Sequence, residues 1–461
     1  MKHNFIITFT LLFFINSFGI GQNNKTNFNT SIIYKEKIKK KIPEKNKLNR
    51  KKKKYWEKSN KIFHRFSRSS KLSNCNPANL AINSPFYYFR FDLMDLEANF
   101  SNKSLSPQFL MDYFNSGNQL SNSGLDEVNS SLENLNFMLN LEINPLRIEF
   151  GKMMLSSNIN TMVNGDFKGK ILAIPFSSLN LGYNSNQNLN TEALSFVKNS
   201  IGLGRTFKTN FATFRVGINY NYLMGLIYFK TKSDTFNFVN NISNVSSNLS
   251  FSMEGNKLIW DSINDSVLNN NDNQYFSEVS NGYDLGLGVN LKKIIHQNLD
   301  IELFIENIGS SITFKNGTKK TYSANISANN LIDFSDSLSS TKIDTISSSN
   351  DITIEIPLKT FIKATYQPIP QIVVSGGFEK YSKDFLTNNS KPIICLNGAI
   401  YPLNWYNLNY GIRTKNGQII QILGAGIQSK LMDLLVEVSS YDGILNNSNG
   451  IGISFRLSFY L

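Results

Sequence analysis

The chain has 461 residues, of which 41% are hydrophobic and 18% are charged, and it carries a net charge of +13. Two cysteines exclude a disulfide framework, although one Cys75–Cys395 bridge is compatible with an oxidising compartment. After residue 21 no run of 18 apolar residues occurs, which argues against a helical membrane protein. The positive charge is confined to residues 22–72, which hold 18 Lys and Arg against three Glu, whereas residues 73–461 hold 28 basic and 31 acidic residues.

Residues 1–21 have the pattern of a secretory signal peptide. Lys2 and His3 precede an apolar core of fitting length, and Gly19 and Gly21 are small residues suited to signal-peptidase cleavage. The sequence therefore predicts export, with cleavage after residue 21.

Residues 22–72 form a basic arm centred on Lys51, Lys52, Lys53 and Lys54. Like charges at this density prevent burial of an apolar core, so the arm is predicted to be disordered. We favour a solvated spacer. The alternative is contact with anionic lipid headgroups through the lysine cluster, because aromatic residues are interspersed among the cations. Nucleic-acid binding is disfavoured for an exported chain.

Order is expected from about residue 73. Asn76-Pro77-Ala78 favours a turn and precedes a first predicted strand at residues 86–100. Residues 107–117 predict a short helix closed by a glycine.

Further strands follow from strict alternation of apolar and polar residues, at 135–144, 214–224, 283–291, 299–306 and 451–461. A soluble β-sandwich also alternates, so the connections decide. Tight joints occur at 368–370, 402–404 and 428–429, and long polar ones at 328–351, 383–390 and 440–449. Short connections on one rim and long ones on the other are typical of membrane barrels. Residues 414–417 are an exception, because they form a tight hairpin where a long loop is expected. The predicted fold is all-β, a transmembrane antiparallel barrel of about 14 strands (12–16) in residues 73–461.

Catalytic and metal-binding patterns are scarce. The three histidines, His3, His64 and His296, lie apart in sequence, and neither a nucleophile elbow nor a phosphate loop occurs. We therefore predict no enzyme activity, no cofactor and no metal site. Glycine pairs at 202/204, 286/288 and 424/426 are interpreted as relief of crowding on the inward face or as bends.

The side chains of the strands suggest which face meets lipid. Asp300, Glu302 and Glu306 share the polar face of one strand and are predicted to face the lumen, in a solvated interior or as determinants of selectivity. Six aromatic residues are candidates for interfacial girdles or for ordinary lipid-facing packing: Tyr220, Tyr222, Tyr228, Trp405, Tyr406 and Tyr410.

A family resemblance rests on three short motifs. Asn76-Pro77-Ala78 near the mature N-terminus, followed directly by strands, resembles FadL-type outer-membrane barrels and the related PorV-like proteins of Bacteroidota. Residues 283–288 and 305–314 carry the same resemblance, which extends loosely over 73–461 and is closest to a Bacteroidota barrel family of unknown function. The basic arm and the terminal Leu461 depart from the pattern.

The resemblance implies an outer-membrane location and contact with outer-membrane lipid. A FadL-like chain would be a passive channel or transporter for small hydrophobic molecules, and residues 107–117 would then be part of a lumen plug, although an ordinary connecting helix is favoured. A PorV-like chain would be an accessory or scaffold barrel that contacts the proteins of a secretion apparatus.

Overall fold

The computed structural model describes residues 75–82, 89–102, 134–168, 183–186, 188–241, 244–263, 276–291, 298–328, 344–369, 371–403, 405–429, 431–443 and 448–461. The signal peptide, the basic arm with Lys51 to Lys54, residues 107–117 and His296 lie outside these ranges. Within them, no helix is long and apolar enough to span a membrane.

The fold is almost entirely β. Its strands, in chain order, are β1 (Phe89–Asn102), β2 (Asn134–Phe150), β3 (Met153–Lys168), β4 (Tyr183–Asn186), β5 (Asn188–Lys208), β6 (Thr213–Asn241), β7 (Asn244–Gly255), β8 (Ser280–Asn290), β9 (Asn298–Ile308), β10 (Ser311–Ala328), β11 (Asp344–Glu355), β12 (Lys359–Ile369), β13 (Ile372–Tyr381), β14 (Ile393–Leu403), β15 (Tyr406–Lys415), β16 (Gln418–Gln428), β17 (Met432–Tyr441) and β18 (Gly450–Tyr460). A 3₁₀ helix (Pro77–Ala81) precedes β1, and one α-helix, α1 (Lys257–Ile263), follows β7.

Fourteen of these strands close into an antiparallel barrel, in the order β1-β2-β3-β5-β6-β8-β9-β12-β13-β14-β15-β16-β17-β18. The seam joins the first and last strands. Phe89 donates its backbone N–H to the Leu461 carbonyl oxygen at 3.1 Å, and Leu461 donates back at 2.9 Å. Closure leaves no free edge in the wall. The predicted all-β class and the predicted number of about 14 strands are confirmed.

Alternation along the strands separates an apolar outside from a polar inside. In β8, Tyr283, Leu285 and Leu287 are each more than two-fifths exposed on the outer wall, whereas the intervening Asp284 is buried. In β9, Ile301 points outward and Glu302 is fully buried within the barrel. The predicted faces of both strands are therefore confirmed.

The two rims differ in the length of their connections. Along β12 to β17, one rim carries turns of two or three residues between strands, which we call the short-turn rim; the other is the long-loop rim. The hairpin between β15 and β16 is the tight exception on the long-loop rim. Asn416 and Gly417 have φ angles of 55° and 83°, and positive φ at both central residues is the requirement of a type I′ turn.

Beyond the long-loop rim, β4, β7, β10 and β11 continue the hydrogen-bonded sheet of the barrel, and we call this part the second sheet. β6 is 29 residues long; its first part pairs with β8 in the barrel, and its remainder pairs with β4 and β7. β7 also pairs with β10, and β10 with β11. The expected loop at 328–351 is therefore wrong in part, because β11 begins at Asp344 and finds its partner in β10.

An apolar cluster lies where this sheet meets the barrel. Its buried members are Met162, Leu194, Phe196, Leu223, Tyr228, Ile312, Phe314, Ile352 and Ile356, and Phe385 and Leu386 pack against it. Tyr228 is stacked on Phe314 with ring centroids 6.2 Å apart. Tyr228 therefore does not belong to a lipid-facing girdle, because β10 returns to cover it. Tyr220, Tyr222, Trp405 and Tyr410 are exposed as expected.

Candidate functional site in the barrel lumen

Residues 75–82 lie inside the barrel, and we call them the plug. The local sequence explains the 3₁₀ helix: the Asn76 side-chain oxygen accepts a hydrogen bond from the Ala78 N–H at 3.0 Å, and Pro77 occupies the first helical position. Asn is a favoured N-cap, and Pro at this position lacks the N–H that would have no helical partner. Asn76-Pro77-Ala78 is thus a helix start, and all three residues are buried.

Glycines on the barrel wall provide the surface on which the plug packs. A Cβ on Gly217 of β6 would collide with the Pro77 carbonyl group, and a Cβ on Gly204 of β5 would lie 2.6 Å from the Ala81 nitrogen. Gly286 of β8 faces the Asn76 side chain at a similarly close approach. The prediction that glycine relieves crowding on the inward face is confirmed for Gly204 and Gly286, and the neighbouring atoms belong to the plug.

Glu302 of β9 fixes the plug by its side chain. The Glu302 Oε2 atom accepts hydrogen bonds from the Asn76 side-chain amide at 3.1 Å and from the Asn79 side-chain amide at 2.8 Å. Hydrogen bonds to a charged acceptor are stronger than neutral ones, and here both are buried. Lys363 of β12 stands opposite Glu302 in register and supplies a compensating positive charge.

Ion pairs continue around the inner wall. Lys198 of β5 contacts Glu306 at 2.8 Å, and Lys359 of β12 contacts both Glu306 at 3.5 Å and Glu379 of β13 at 3.8 Å. Glu379 also contacts Arg413 of β15 at 3.1 Å. Alternating signs let each buried charge be compensated by its neighbours, which is what charges removed from water require.

The loop at residues 382–392 folds across the long-loop rim, and we call it the lid. Phe385 of the lid packs against the apolar cluster. Asn416 at the β15–β16 hairpin donates its side-chain amide to the Thr387 carbonyl oxygen at 2.8 Å and accepts from the Asn389 N–H at 3.3 Å. The tight hairpin therefore holds the lid.

A cavity of about 320 Å³ lies between the plug and the lid. Cys75 at the start of the plug and Phe385 of the lid both line it, together with Lys359 and Glu306. Its lining is charged and amide-rich on one part and apolar on another. Cys395 lines it too, and the two cysteines are free thiols, so the bridge left open by the sequence does not form in this structure.

Most of these contacts could not be read from local sequence. Of the predicted site residues, Asn76, Pro77 and Ala78 lie in the lumen, and Glu302 and Glu306 face it as expected. The role of Glu302 as the acceptor for the plug was missed, because 226 residues separate it from Asn76. The sequence signal for the plug was the set of inward-facing glycines at 204, 217 and 286, which are in register on three adjacent strands. Inward positions without a side chain leave room for a segment packed inside the barrel.

Most of the chain matches one known protein family. Residues 77–436 match a family of unknown function, DUF5723. The chain belongs to this family. The DUF5723 match begins at Pro77, so it includes most of the plug and most of the barrel wall. No curated protein matches the chain.

Solved structures with a similar fold include toluene transporters, a FadL homologue and an autotransporter translocator domain. The Pseudomonas putida toluene transporter TodX is 10% identical, with a TM-score of 0.42, and the Ralstonia pickettii toluene transporter TbuX is 9% identical, with a TM-score of 0.39. A FadL homologue of Pseudomonas aeruginosa is 9% identical, with a TM-score of 0.38. Each similarity covers 84% of the DUF5723 chain and 92% of the other chain.

Proposed function

We propose that the chain is an outer-membrane channel for small hydrophobic molecules and that the plug closes its lumen. The observation that carries the proposal is the burial of residues 76–81 inside a closed barrel, held by side-chain hydrogen bonds from Asn76 and Asn79 to Glu302. Hydrogen bonds can be exchanged for water or for a ligand, so the closure is reversible.

The outer wall supports a membrane location. Large apolar side chains are exposed on barrel strands around the circumference, for example Ile218 on β6, Leu396 on β14 and Ile453 on β18. A water-soluble protein rarely exposes so large a contiguous apolar surface, whereas hydrocarbon accommodates it. The signal peptide at 1–21 and cleavage after it remain part of the proposal, and the short-turn rim would then face the periplasm.

The substrate class follows from the apolar side of the lumen. Phe196, Ile356 and Phe385 line the cavity and belong to, or pack against, the apolar cluster at the long-loop rim. A molecule entering from that rim meets this surface first. An apolar body gains free energy on leaving water there, at about 25 cal/mol per Å².

Uptake by cells tests this function. Cells that lack the protein are supplied with the full chain or with Glu302→Ala, and uptake of radiolabelled toluene and of a long-chain fatty acid is measured. The full chain is expected to restore uptake of at least one compound, and Glu302→Ala to raise the basal leak of both. Uptake equal to that of cells without the protein would contradict the proposal.

The second candidate is an accessory barrel of a secretion apparatus. The sheet of β7, β10, β11 and the upper part of β6 favours it, since this sheet lies beyond the barrel and offers protein surface away from the lipid. Affinity purification from the native membrane, followed by a secretion assay on a deletion strain, tests it. Unchanged secretion with no co-purified protein would reject this candidate.

The basic arm is proposed to be a spacer, with contact to anionic headgroups through Lys51, Lys52, Lys53 and Lys54 as the alternative. Flotation of the full chain and of a 22–72 deletion with anionic vesicles separates the two. Equal recovery of both chains would reject the headgroup contact.

A further inference from the structure

The side chain of Asn416 joins three parts of the long-loop rim. Besides forming its two hydrogen bonds with the lid, it donates its amide to the Met138 sulfur atom of β2 at 3.1 Å. The barrel wall places β16, β17, β18 and β1 between β15 and β2, so this contact reaches over the mouth of the barrel. The β15–β16 hairpin therefore meets the lid and a distant part of the wall at a single side chain.

The lid has hydrogen bonds of its own. The backbones of Phe385 and Asn388 exchange two hydrogen bonds, of 2.7 and 2.8 Å. The Asn389 side-chain oxygen accepts a third from the Lys391 N–H at 3.2 Å. These bonds join lid residues to each other and not to the wall. A compact loop stabilised in this way keeps its shape when its contacts with the wall break, so the lid can move as a unit.

The contacts that attach the lid to the barrel are easily broken and re-formed. The Lys383–Glu355 ion pair at 2.6 Å is exposed on both sides, and exposed pairs contribute little to stability. Two hydrogen bonds with Asn416 and the packing of Phe385 and Leu386 on the apolar cluster add to it. Hydrogen bonds of this kind exchange with water at a small net cost, so the lid is held shut reversibly.

Two features raise the free energy of the closed lid. Leu386 has a φ angle of 49°, a left-handed conformation that a bulky side chain rarely adopts and that persists only where surrounding contacts impose it. The Thr387 side-chain oxygen is buried and has no hydrogen-bond partner among the described residues. A buried hydroxyl without a partner is destabilising, and water would supply a partner once the lid lifts. The closed lid is therefore poised to open.

The lid covers the apolar surface that the proposed function assigns to the solute. Phe385 lines the cavity and packs against the apolar cluster, and Phe196 and Ile356 of that cluster line the same cavity. An aromatic ring of the protein thus rests where an apolar solute would rest. Phe385 and a solute compete for this surface, because each is stabilised by removing the same apolar area from water.

We propose that the lid is an entry gate for apolar solutes, latched by Asn416 and held shut by Phe385. A solute that reaches the long-loop rim displaces Phe385 from the apolar cluster, the lid lifts, and the strain at Leu386 is released. The plug stays in place during this step, because its bonds to Glu302 do not involve the lid. The inference adds a regulated entry to the proposed channel and rests on that function only for the direction of entry.

Labelling of Cys75 by two maleimides of different size tests the gate. Cys75 lines the cavity, and Cys395→Ser leaves it as the one thiol of the chain. The full chain in detergent is treated with N-methylmaleimide or with N-phenylmaleimide, whose ring resembles that of Phe385. The readout is the labelling rate with the phenyl reagent divided by the rate with the methyl reagent. This ratio cancels differences in the reactivity of the thiol.

Two variants should move the ratio in opposite directions. Asn416→Gly removes the latch but keeps the turn, because glycine readily adopts the φ of 55° found there. The ratio is expected to rise about tenfold, the shift that the loss of two hydrogen bonds produces. Thr387→Val removes the unpaired hydroxyl from the closed lid and should lower the ratio about threefold. Misfolding would expose Cys75 and cannot mimic this decrease.

Lys391→Gln, at an exposed lid residue outside the latch, is the control and should leave the ratio unchanged. Equal ratios for Asn416→Gly and Lys391→Gln, or a higher ratio in Thr387→Val, would overturn the inference. Displacement of the plug raises both rates, so an equal rise with both reagents in Asn416→Gly would assign the effect to the plug and overturn it too. Uptake equal to that of cells without the protein would reject the proposed channel alone.

Discussion

Asn79 in the plug donates a hydrogen bond of 2.8 Å to Glu302 on β9, across 223 residues of sequence. Both residues are buried within the barrel. The bond joins the segment that enters the lumen to the wall that surrounds it, and Asn76 adds a second bond to the same oxygen. The strength of this attachment determines how readily the plug leaves.

Replacing Glu302 by Ala should release the plug. Each hydrogen bond to a charged acceptor is worth about 1.5–3 kcal/mol, so the loss of two shifts the plug toward a detached state. In a Cys395→Ser background, labelling of Cys75 by a charged thiol reagent is expected to accelerate at least tenfold. Glu355→Gln, on the exposed end of β11, serves as the control. Equal labelling rates in both variants would show that Glu302 does not hold the plug.

Adding a methyl group at Gly217 should also displace the plug, in this case by a steric clash. The added Cβ of Gly217→Ala would collide with the backbone of Pro77, so the plug has to move. Faster swelling of liposomes containing the variant, in a solution of a small sugar, is the expected result.

Gly398→Ala is the matched control, because no atom lies within 4 Å of a Cβ added there. Swelling that is the same for Gly217→Ala and Gly398→Ala would contradict the packing of the plug on β6.

The buried pair between Arg215 and Asp300 should stabilise the barrel. The Arg215 Nη2 atom lies 2.7 Å from the Asp300 Oδ2 atom, and both side chains are almost fully buried. Asp300→Asn removes the partner charge and is expected to lower the free energy of unfolding by about 3 kcal/mol. Urea titration in detergent measures it. Lys383→Gln breaks an exposed pair and should leave the midpoint unchanged.

Acid should loosen the lid. Asp384 accepts a hydrogen bond from the Ser390 N–H at 2.6 Å, and this bond holds the pKa of Asp384 below its ordinary value of 3.8. A lowered pKa stabilises the lid while the carboxylate is ionised, so the contribution is full above pH 3.8 and is lost as the pH falls below it. Protease cleavage within the lid should increase below that pH.

Asp384→Asn removes the charge that titrates. Cleavage of this variant should be independent of pH across the same range, once corrected for the protease itself. A pH dependence equal to that of the unchanged chain would assign the effect to another group.

The barrel could be predicted because its information is local. Alternation in β8, β9 and β18 identifies both faces of each strand, because successive side chains of a strand point to opposite faces of the barrel wall. The hairpin at Asn416 and Gly417 is equally local, because positive φ favours these two residue types.

The plug and the second sheet depend on partners far away in sequence. β11 contains Ser347, Ser348 and Ser349, a composition typical of loops, and it is a strand because β10 pairs with it. Tyr228 is buried because Phe314 covers it, 86 residues later. The sequence around β11 does not indicate that β10 pairs with it, and the sequence around Tyr228 does not indicate that Phe314 covers it.

The central claim is that residues 75–82 close the lumen, and single-channel conductance in a planar bilayer tests it most directly. The chain is compared with a variant carrying Asn76→Ala, Asn79→Ala and Glu302→Ala together, which lacks every side-chain hydrogen bond between these three residues. The account predicts a chain that is closed most of the time and a variant with long-lived openings. Equal conductance and open probability in the two proteins would contradict it.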